Sequence, residues 1–189
     1  FNRKTVTASV ENRHKNGLGY RLSGEKRHAD NYRDHNEQDY SNLSGLMDFI
    51  HQTGSVFIEY QDINEELETP GGLFPDQVRA NRKQPLNPDD YLNTATRNAR
   101  IGFVQSLFGG MDLRAEYTER KADSSGLLSF GGLPGAVTTR RDHREFTPRL
   151  FGNFRTSNGA SMVTVGADLF DSEFYLDSIL GTITNEQKQ

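Results

Sequence analysis

Hydrophobic and polar residues alternate along most of this chain. Thr5-Val6-Thr7-Ala8-Ser9-Val10-Glu11 does so without a break, as does Met111-Asp112-Leu113-Arg114-Ala115-Glu116-Tyr117-Thr118. In Val163-Thr164-Val165-Gly166-Ala167-Asp168-Leu169 one set of positions is aliphatic and the other carries Thr, Gly and Asp. A period of two puts such sets on opposite faces of a β-strand. Less regular versions occur at Leu18/Tyr20/Leu22, Leu43/Gly45/Met47/Phe49, Val56/Ile58/Tyr60, Ala99/Ile101/Phe103 and Phe146/Pro148/Leu150/Gly152/Phe154, so that eight strands are predicted. Pro148 has no N–H to give a ladder, and a bulge or a sheet edge is expected there.

The connections alternate as well. Four are short and turn-like: Lys15-Asn16-Gly17, Gln52-Thr53-Gly54, Phe108-Gly109-Gly110 and Ser157-Asn158-Gly159. Asn-Gly and Gly-Gly supply the positive φ angles that tight hairpins need. Between them lie long polar connections at about 30–38, 64–92 and 123–140, with a fourth expected after about 176. The chain therefore runs up and down, with its short turns at one end. Outer-membrane barrels keep short periplasmic turns and long extracellular loops in this way. A β-sandwich has no reason to sort its turns so.

The strand faces point the same way. Opposite the aliphatic positions stand Arg21, Glu25, Glu59, Gln61, Arg100, Arg114, Glu116, Arg149 and Asp168, which suit a wet or polar-plugged lumen. An antiparallel sheet with one solvated face would alternate identically. Two features favour a membrane wall over that reading. The segments, at about 10 residues or more, match what a tilted strand needs to cross hydrocarbon. Aromatics also close both ends of the aliphatic face, with Tyr60, Tyr117 and Phe146 on the long-loop side and Phe49, Phe108 and Phe154 on the short-turn side. That layout is the double aromatic girdle of a barrel.

Composition alone points elsewhere. Apolar residues make up 33% of the 189, and 22 Lys+Arg face 26 Asp+Glu for a net charge of −4. With a mean hydropathy of −0.76, the default reading would be a polar soluble domain, yet a β-barrel needs only alternation. No run approaches the roughly 20 apolar residues of a membrane helix. Cys is absent, which excludes a disulfide framework, a cysteine-bearing zinc site and a thiol nucleophile. The pI of about 5.7 argues against a nucleic-acid partner. The chain opens on Phe1 and stops at Asn185-Glu186-Gln187-Lys188-Gln189. Neither end resembles a natural terminus, so a fragment is expected, and missing targeting signals say nothing about localisation.

The connection at 64–92 is heavily punctuated. Pro70-Gly71 fits a type II turn. Pro75 suits a first helical position, Asp76 the first turn, Arg82 and Lys83 the last, and Pro85 a stop. A short helix is predicted at about 75–82 inside an ordered loop.

Here a family resemblance enters. Pro70-Gly71-Gly72-Leu73, the short helix and then Ala80-Asn81-Arg82-Lys83-Gln84 resemble a loop of TonB-dependent outer-membrane receptors. Tyr32-Arg33-Asp34-His35 after the strand Leu18–Ala29 resembles another stretch of those barrels, and Asn42-Leu43-Ser44-Gly45 opens the next strand. Asp89-Asp90-Tyr91, followed by Thr94-Ala95-Thr96, fits the loop's re-entry into the wall. The match in order and spacing covers roughly residues 1–120; beyond it only the hairpin layout agrees. The resemblance implies an all-β fold, an antiparallel up-and-down transmembrane β-barrel segment of about eight strands from a 22-stranded barrel. Residues 1–189 would be part of that barrel domain, without plug, TonB box or signal peptide. It further implies the outer membrane of a Gram-negative bacterium and import of a scarce ligand, foremost a ferric siderophore. Coupling to TonB–ExbB–ExbD would run through N-terminal parts outside this sequence, and outer-membrane lipid would surround the wall. Iron would arrive only as a chelated substrate, with no resident cofactor.

Loop residues that could meet an anionic, aromatic chelate are Tyr32, Arg33 and His35, then Phe74, Arg79, Arg82 and Lys83, then Arg140, Arg141 and His143. Exposed loops are polar in any case, so Arg there is also ordinary. The five His show no helical i, i+4 pair and no HExxH pattern, so a direct metal site is not expected. Gly17-Leu18-Gly19 and Gly131-Gly132-Leu133-Pro134-Gly135 do not open a helix with Lys-Ser/Thr and are not phosphate loops. Nothing points to catalysis. The alternatives are a passive porin-type barrel and a soluble β-sheet binding module.

Overall fold

A computed structural model describes residues 2–130, 133–157, 159–180 and 183–188. Gly131 and Gly132 of the glycine-rich stretch, Asn158 of the fourth turn and Gln189 at the chain end lie outside these. The elements are β1 (Asn2–Arg13), β2 (Leu18–Asp30), β3 (Glu37–His51), β4 (Gly54–Glu68), α1 (Pro75–Ala80), β5 (Tyr91–Ser106), β6 (Met111–Phe130), β7 (Leu133–Thr156), β8 (Gly159–Gly166), β9 (Leu169–Leu180) and β10 (Ile183–Lys188). The strands form one antiparallel sheet in the order β1 to β7, then β9 and β10, with β8 also on β7. Among the described residues the sheet is open, and β1 pairs only with β2.

Seven of the eight predicted strands lie each within one of these segments, and the eighth, Val163–Leu169, runs from β8 into β9. β8 and β9 are one wall strand in a single register along β7, since Arg149 faces Gly166 and, three residues back, Phe146 faces Leu169. The interruption falls opposite Pro148, where a bulge or edge was expected, yet no residue is added and the register holds. The Ala167 N–H donates to the Pro148 carbonyl at 3.1 Å, but Pro148 has no N–H to return. Arg149 supplies the missing donor from its side chain, at 2.5 Å from the Ala167 carbonyl oxygen, and also pairs with Asp168. Gly166 admits that guanidinium, because a Cβ there would strike the Arg149 side chain and the Pro148 carbonyl.

The two ends differ from expectation in one respect. The short turns stand where predicted; Gly17 (φ 95°) closes the first, and a Cβ on it would run into the Ile50 carbonyl. At the other end, the connection at 123–140 is instead a continuation of β6 and β7, paired from Asp123↔Arg140 to Phe130↔Leu133. Likewise no long loop opens after 176, for β9 runs to Leu180 and returns as β10. Polarity there marks exposure, and a ladder needs only backbone donors and acceptors.

The register aligns the alternation across the whole sheet. One rung of the aliphatic face runs Tyr20, Met47, Ile58, Ile101, Tyr117 and Phe146. A lower rung joins Phe49 to Phe103 through Val56. The opposite face carries the charges, paired as Glu11–Arg21 (2.8 Å), Arg13–Asp48 (2.7 Å) and Arg100 with both Glu59 (3.6 Å) and Glu116 (3.4 Å). Amides continue it: Asn98 donates to Gln61, which donates to Asn42, each at 3.2 Å. There is no hydrophobic core in the ordinary sense. Among the described residues only Ala29 and Ala115 are buried apolar ones, while Val6 is 71% and Val165 63% exposed. An aliphatic surface of this extent is an interaction surface, since water-exposed proteins rarely carry one.

With that face against lipid, Ile58→Arg in the full-length protein costs about 2–4 kcal/mol of folding stability in vesicles. Gln61→Arg, on the other face of the same strand, costs less than half as much. Denaturant titration checks this, and equal penalties would reverse the assignment of faces.

Candidate functional site

Two connections at the same end of the sheet are built into one structure. The β2–β3 loop (31–36) is closed by the Asn31 side-chain amide, which donates to the Asn36 carbonyl at 2.7 Å. His35 adopts φ 54°, a left-handed conformation uncommon outside glycine. That turn aims its ring at the other loop: Nε2 donates to the Asp90 carbonyl at 2.6 Å, and Nδ1 lies 3.5 Å from Glu68.

The β4–β5 loop (69–90) carries α1. Pro75 begins the helix, Asp76 sits in its first turn and Arg79 in its last, and the Gln77 side chain accepts from the Phe74 N–H at 2.9 Å. The helix ends at Ala80, two residues short of expectation, so Arg82 and Lys83 follow it instead of forming its last turn. The Asn81 side chain takes the Lys83 N–H at 2.9 Å, a local bond that competes with a further helical turn. No α1 residue is buried.

The base of this loop is tied in two places. Arg33 donates to the carbonyls of Pro70 (3.2 Å), Gly71 and Gln84 (2.8 Å). Asp90, 3% exposed, accepts from the Ser129 N–H and hydroxyl, both at 2.7 Å, and from Asn87 at 2.8 Å. The second tie fastens the loop to the top of the β6–β7 hairpin. Gly71 has φ 68°, and Asn87 occupies the space a Cβ would need.

The sequence-predicted residues thus separate. Tyr32 (57% exposed), Phe74 (67%), Arg79, Arg82 and Lys83 face solvent. Arg33 and His35 are half-buried and hold backbone. The third group divides between faces. Arg140 stands on the aliphatic side well above its aromatics, bonded to Asp123 at 2.9 Å, whereas Arg141 and His143 are on the charged face. Arg141 lies over the Phe174 ring at 5.4 Å, and His143 is 6.4 Å from Phe170. Arg120 stands directly across from His143. Phe170, Phe174 and Arg120 did not figure in the sequence reading. Extending the period of two past Leu169 would have placed both rings on the charged face.

Among the described residues one group brings metal-type donors together: His28, Asp30 and Glu37 have ligand atoms within 4.8 Å of one another. Both His28 nitrogens are already engaged, Nδ1 with Asp39 (3.1 Å) and Nε2 with Asp30 (2.8 Å). Among the described residues no histidine joins a hydroxyl to a carboxylate: His51 meets Thr53 and the Phe49 ring, and His143 meets Glu145 and Phe170. No catalytic constellation is assembled.

No protein-family model and no curated protein matches the chain. Solved structures do. The ferric citrate transporter FecA in its unliganded form matches with a TM-score of 0.88 at 19% identity, over 95% of this chain and 28% of FecA. The fold is that of a stretch of FecA. BauA, the ferric preacinetobactin receptor from Acinetobacter baumannii, matches at 0.76 and 15%, over 99% of this chain and 32% of BauA. The ferripyoverdine receptor of the Pseudomonas aeruginosa outer membrane, bound to ferripyoverdine, matches at 0.74 and 13%, over 94% and 27%. The chain therefore spans about a third or less of each of these proteins. The likeness in fold to a ferric citrate transporter and two receptors for ferric chelates agrees with the resemblance that the loop motifs carry.

His28 lies on the aliphatic side six residues beyond Leu22, its last large apolar position, and so outside the aliphatic band. Its bonds to Asp39 first, and Asp30 second, hold the imidazole pKa above the ordinary 6.5. The folded value is the raised one, so this stabilisation is complete below about 6.5 and disappears as pH climbs through the raised midpoint. NMR of histidine-labelled full-length protein should place the His28 midpoint above 6.5, and Asp39→Asn should lower it.

Proposed function

We propose that the chain is a partial barrel domain, residues 1–189, of a TonB-dependent outer-membrane receptor that imports a scarce ligand, foremost a ferric siderophore. The observation that carries this reading is the FecA-like wall over 95% of the chain, with one aliphatic face and one charged face throughout. The named ligands of the three similar proteins are all ferric chelates, which supports that ligand class. The aliphatic face meets outer-membrane lipid, and the charged face lines the lumen. Residues elsewhere in the full protein supply the remaining strands, the plug and the contact with TonB–ExbB–ExbD. Iron passes as substrate inside its chelator.

Ligand contact falls to Tyr32, Phe74, Arg79, Arg82 and Lys83 at the mouth, with Arg141 and His143 deeper on the charged face. Exposed aromatic faces stack on a chelate's rings, and the cations attract its negative charge before contact. Arg33, His35 and Arg140 act at the same mouth through the backbone and carboxylate bonds described above.

The test is whole-cell uptake of a panel of radiolabelled ferric chelates by the full-length receptor. At least one chelate should enter in an energised, TonB-dependent manner. Reversing Arg79, Arg82 and Lys83 to Glu should weaken its uptake by about tenfold. Uptake unaffected by loss of TonB would support a passive porin, and unchanged affinity in the triple variant would remove α1 from the ligand site.

A further inference from the structure

We infer that Arg33 is a positioning residue, a staple across the base of the α1 loop that fixes α1 as a platform. The loop from 69 to 90 is longer than most connections in compact folds, which are either built for a task or loosely ordered. A helix as short as Pro75–Ala80 does not persist in water alone. Packing does not hold it either, because none of its residues is buried. Its order must come from polar contacts at its footing.

Those contacts converge on one guanidinium. Pro70 and Gly71 lie where the chain leaves toward α1, and Gln84 lies where it returns, so Arg33 bonds to both legs of the excursion. Neighbouring backbone bonds follow the same line: the Asp34 N–H donates to the Lys83 carbonyl at 2.8 Å, and the Leu86 N–H to Pro70 at 2.7 Å. From the side of the helix, Gln84 donates to the Gln77 carbonyl at 3.2 Å. A planar fork holds donors on separate nitrogens in fixed directions toward carbonyls on two legs, whereas an ammonium of the same charge offers its donors from a single point. These bonds occupy Nη1 and Nη2, and Nε is buried without a partner, so Arg33 could meet a ligand only by releasing the loop. That α1 then displays Phe74, Arg79, Arg82 and Lys83 to a ligand rests on the function proposed above; the staple itself does not.

The experiment uses the full-length receptor in intact cells, with trypsin as the probe of the platform, since Arg79, Arg82 and Lys83 are its own cleavage sites. Arg33→Lys and Arg33→Ala should each raise the cleavage rate in this loop at least tenfold, while the barrel still assembles. Binding of ferric citrate and of a ferric tris-catecholate, measured in parallel, should weaken in both variants alike for whichever chelate the wild type binds. If Arg33→Lys is cleaved no faster than wild type, the staple is overturned and charge alone matters at this position. Faster cleavage with unchanged chelate binding upholds the staple and overturns the role of α1 in ligand contact. Should the variants fail to assemble, hydrogen exchange on the wild type decides. The amides of Val78, Asn81 and Leu86 should be protected at least a hundredfold over an unstructured peptide, and unprotected amides would overturn the inference.

Discussion

The parity of the β-ladder governs this molecule. A slip of one residue in any strand would carry its entire aliphatic set to the charged face and bring its charges to the other. There is no interior to absorb such an error, because the sheet is one layer thick. Across β1 to β7 the register keeps Leu22, Met47, Ile58, Ile101, Tyr117 and Phe146 on one side and Arg21, Glu59, Arg100 and Glu116 on the other. The cross-strand ion pairs on the charged face are partly wet and individually weak, about 0–1 kcal/mol each. They contribute by penalising misregister, since a shifted strand would strand Arg100 away from Glu59 and Glu116 together. Even Pro148, which breaks a rung, leaves the register intact because Arg149 bonds to the acceptor that the proline cannot reach.

Alternation made the wall legible from the sequence, and the tight turns made its direction legible. Both are local properties of a few neighbouring residues, which is why Lys15-Asn16-Gly17 and the run from Met111 to Thr118 could be read without a fold. The upper hairpins were misjudged for an equally local reason. Residues 123–140 lose the aliphatic alternation once both faces meet water, and the period of two then has nothing to show itself in. Backbone pairing persists there without a sequence signature.

The mouth was legible only in part. Proline and glycine announced an ordered loop with a short helix, and α1 formed within the predicted span. Which polar residues face outward was another matter. Tyr32 and Arg33 are adjacent and equally suited to a binding surface, yet one is free and the other is consumed by carbonyls far along the chain. Asp90 is the sharper case, a carboxylate in a run of polar residues that is buried where Ser129 and Asn87 donate to it. Partners separated by dozens of positions leave no mark in either segment alone.

The staple has a further consequence for how this loop changes over generations. Arg33 bonds to main-chain oxygens, and every amino acid has one. The anchor is therefore blind to the side chains at 70, 71 and 84, apart from the positive φ that favours glycine at 71. The exposed side chains of Phe74, Arg82 and Lys83 can drift in charge, size and aromaticity while the loop keeps its footing, whereas those of Gln77 and Asn81 hold backbone within it. Support is thereby carried by main-chain atoms and outward display by side chains, so substitution in the one leaves the other in place.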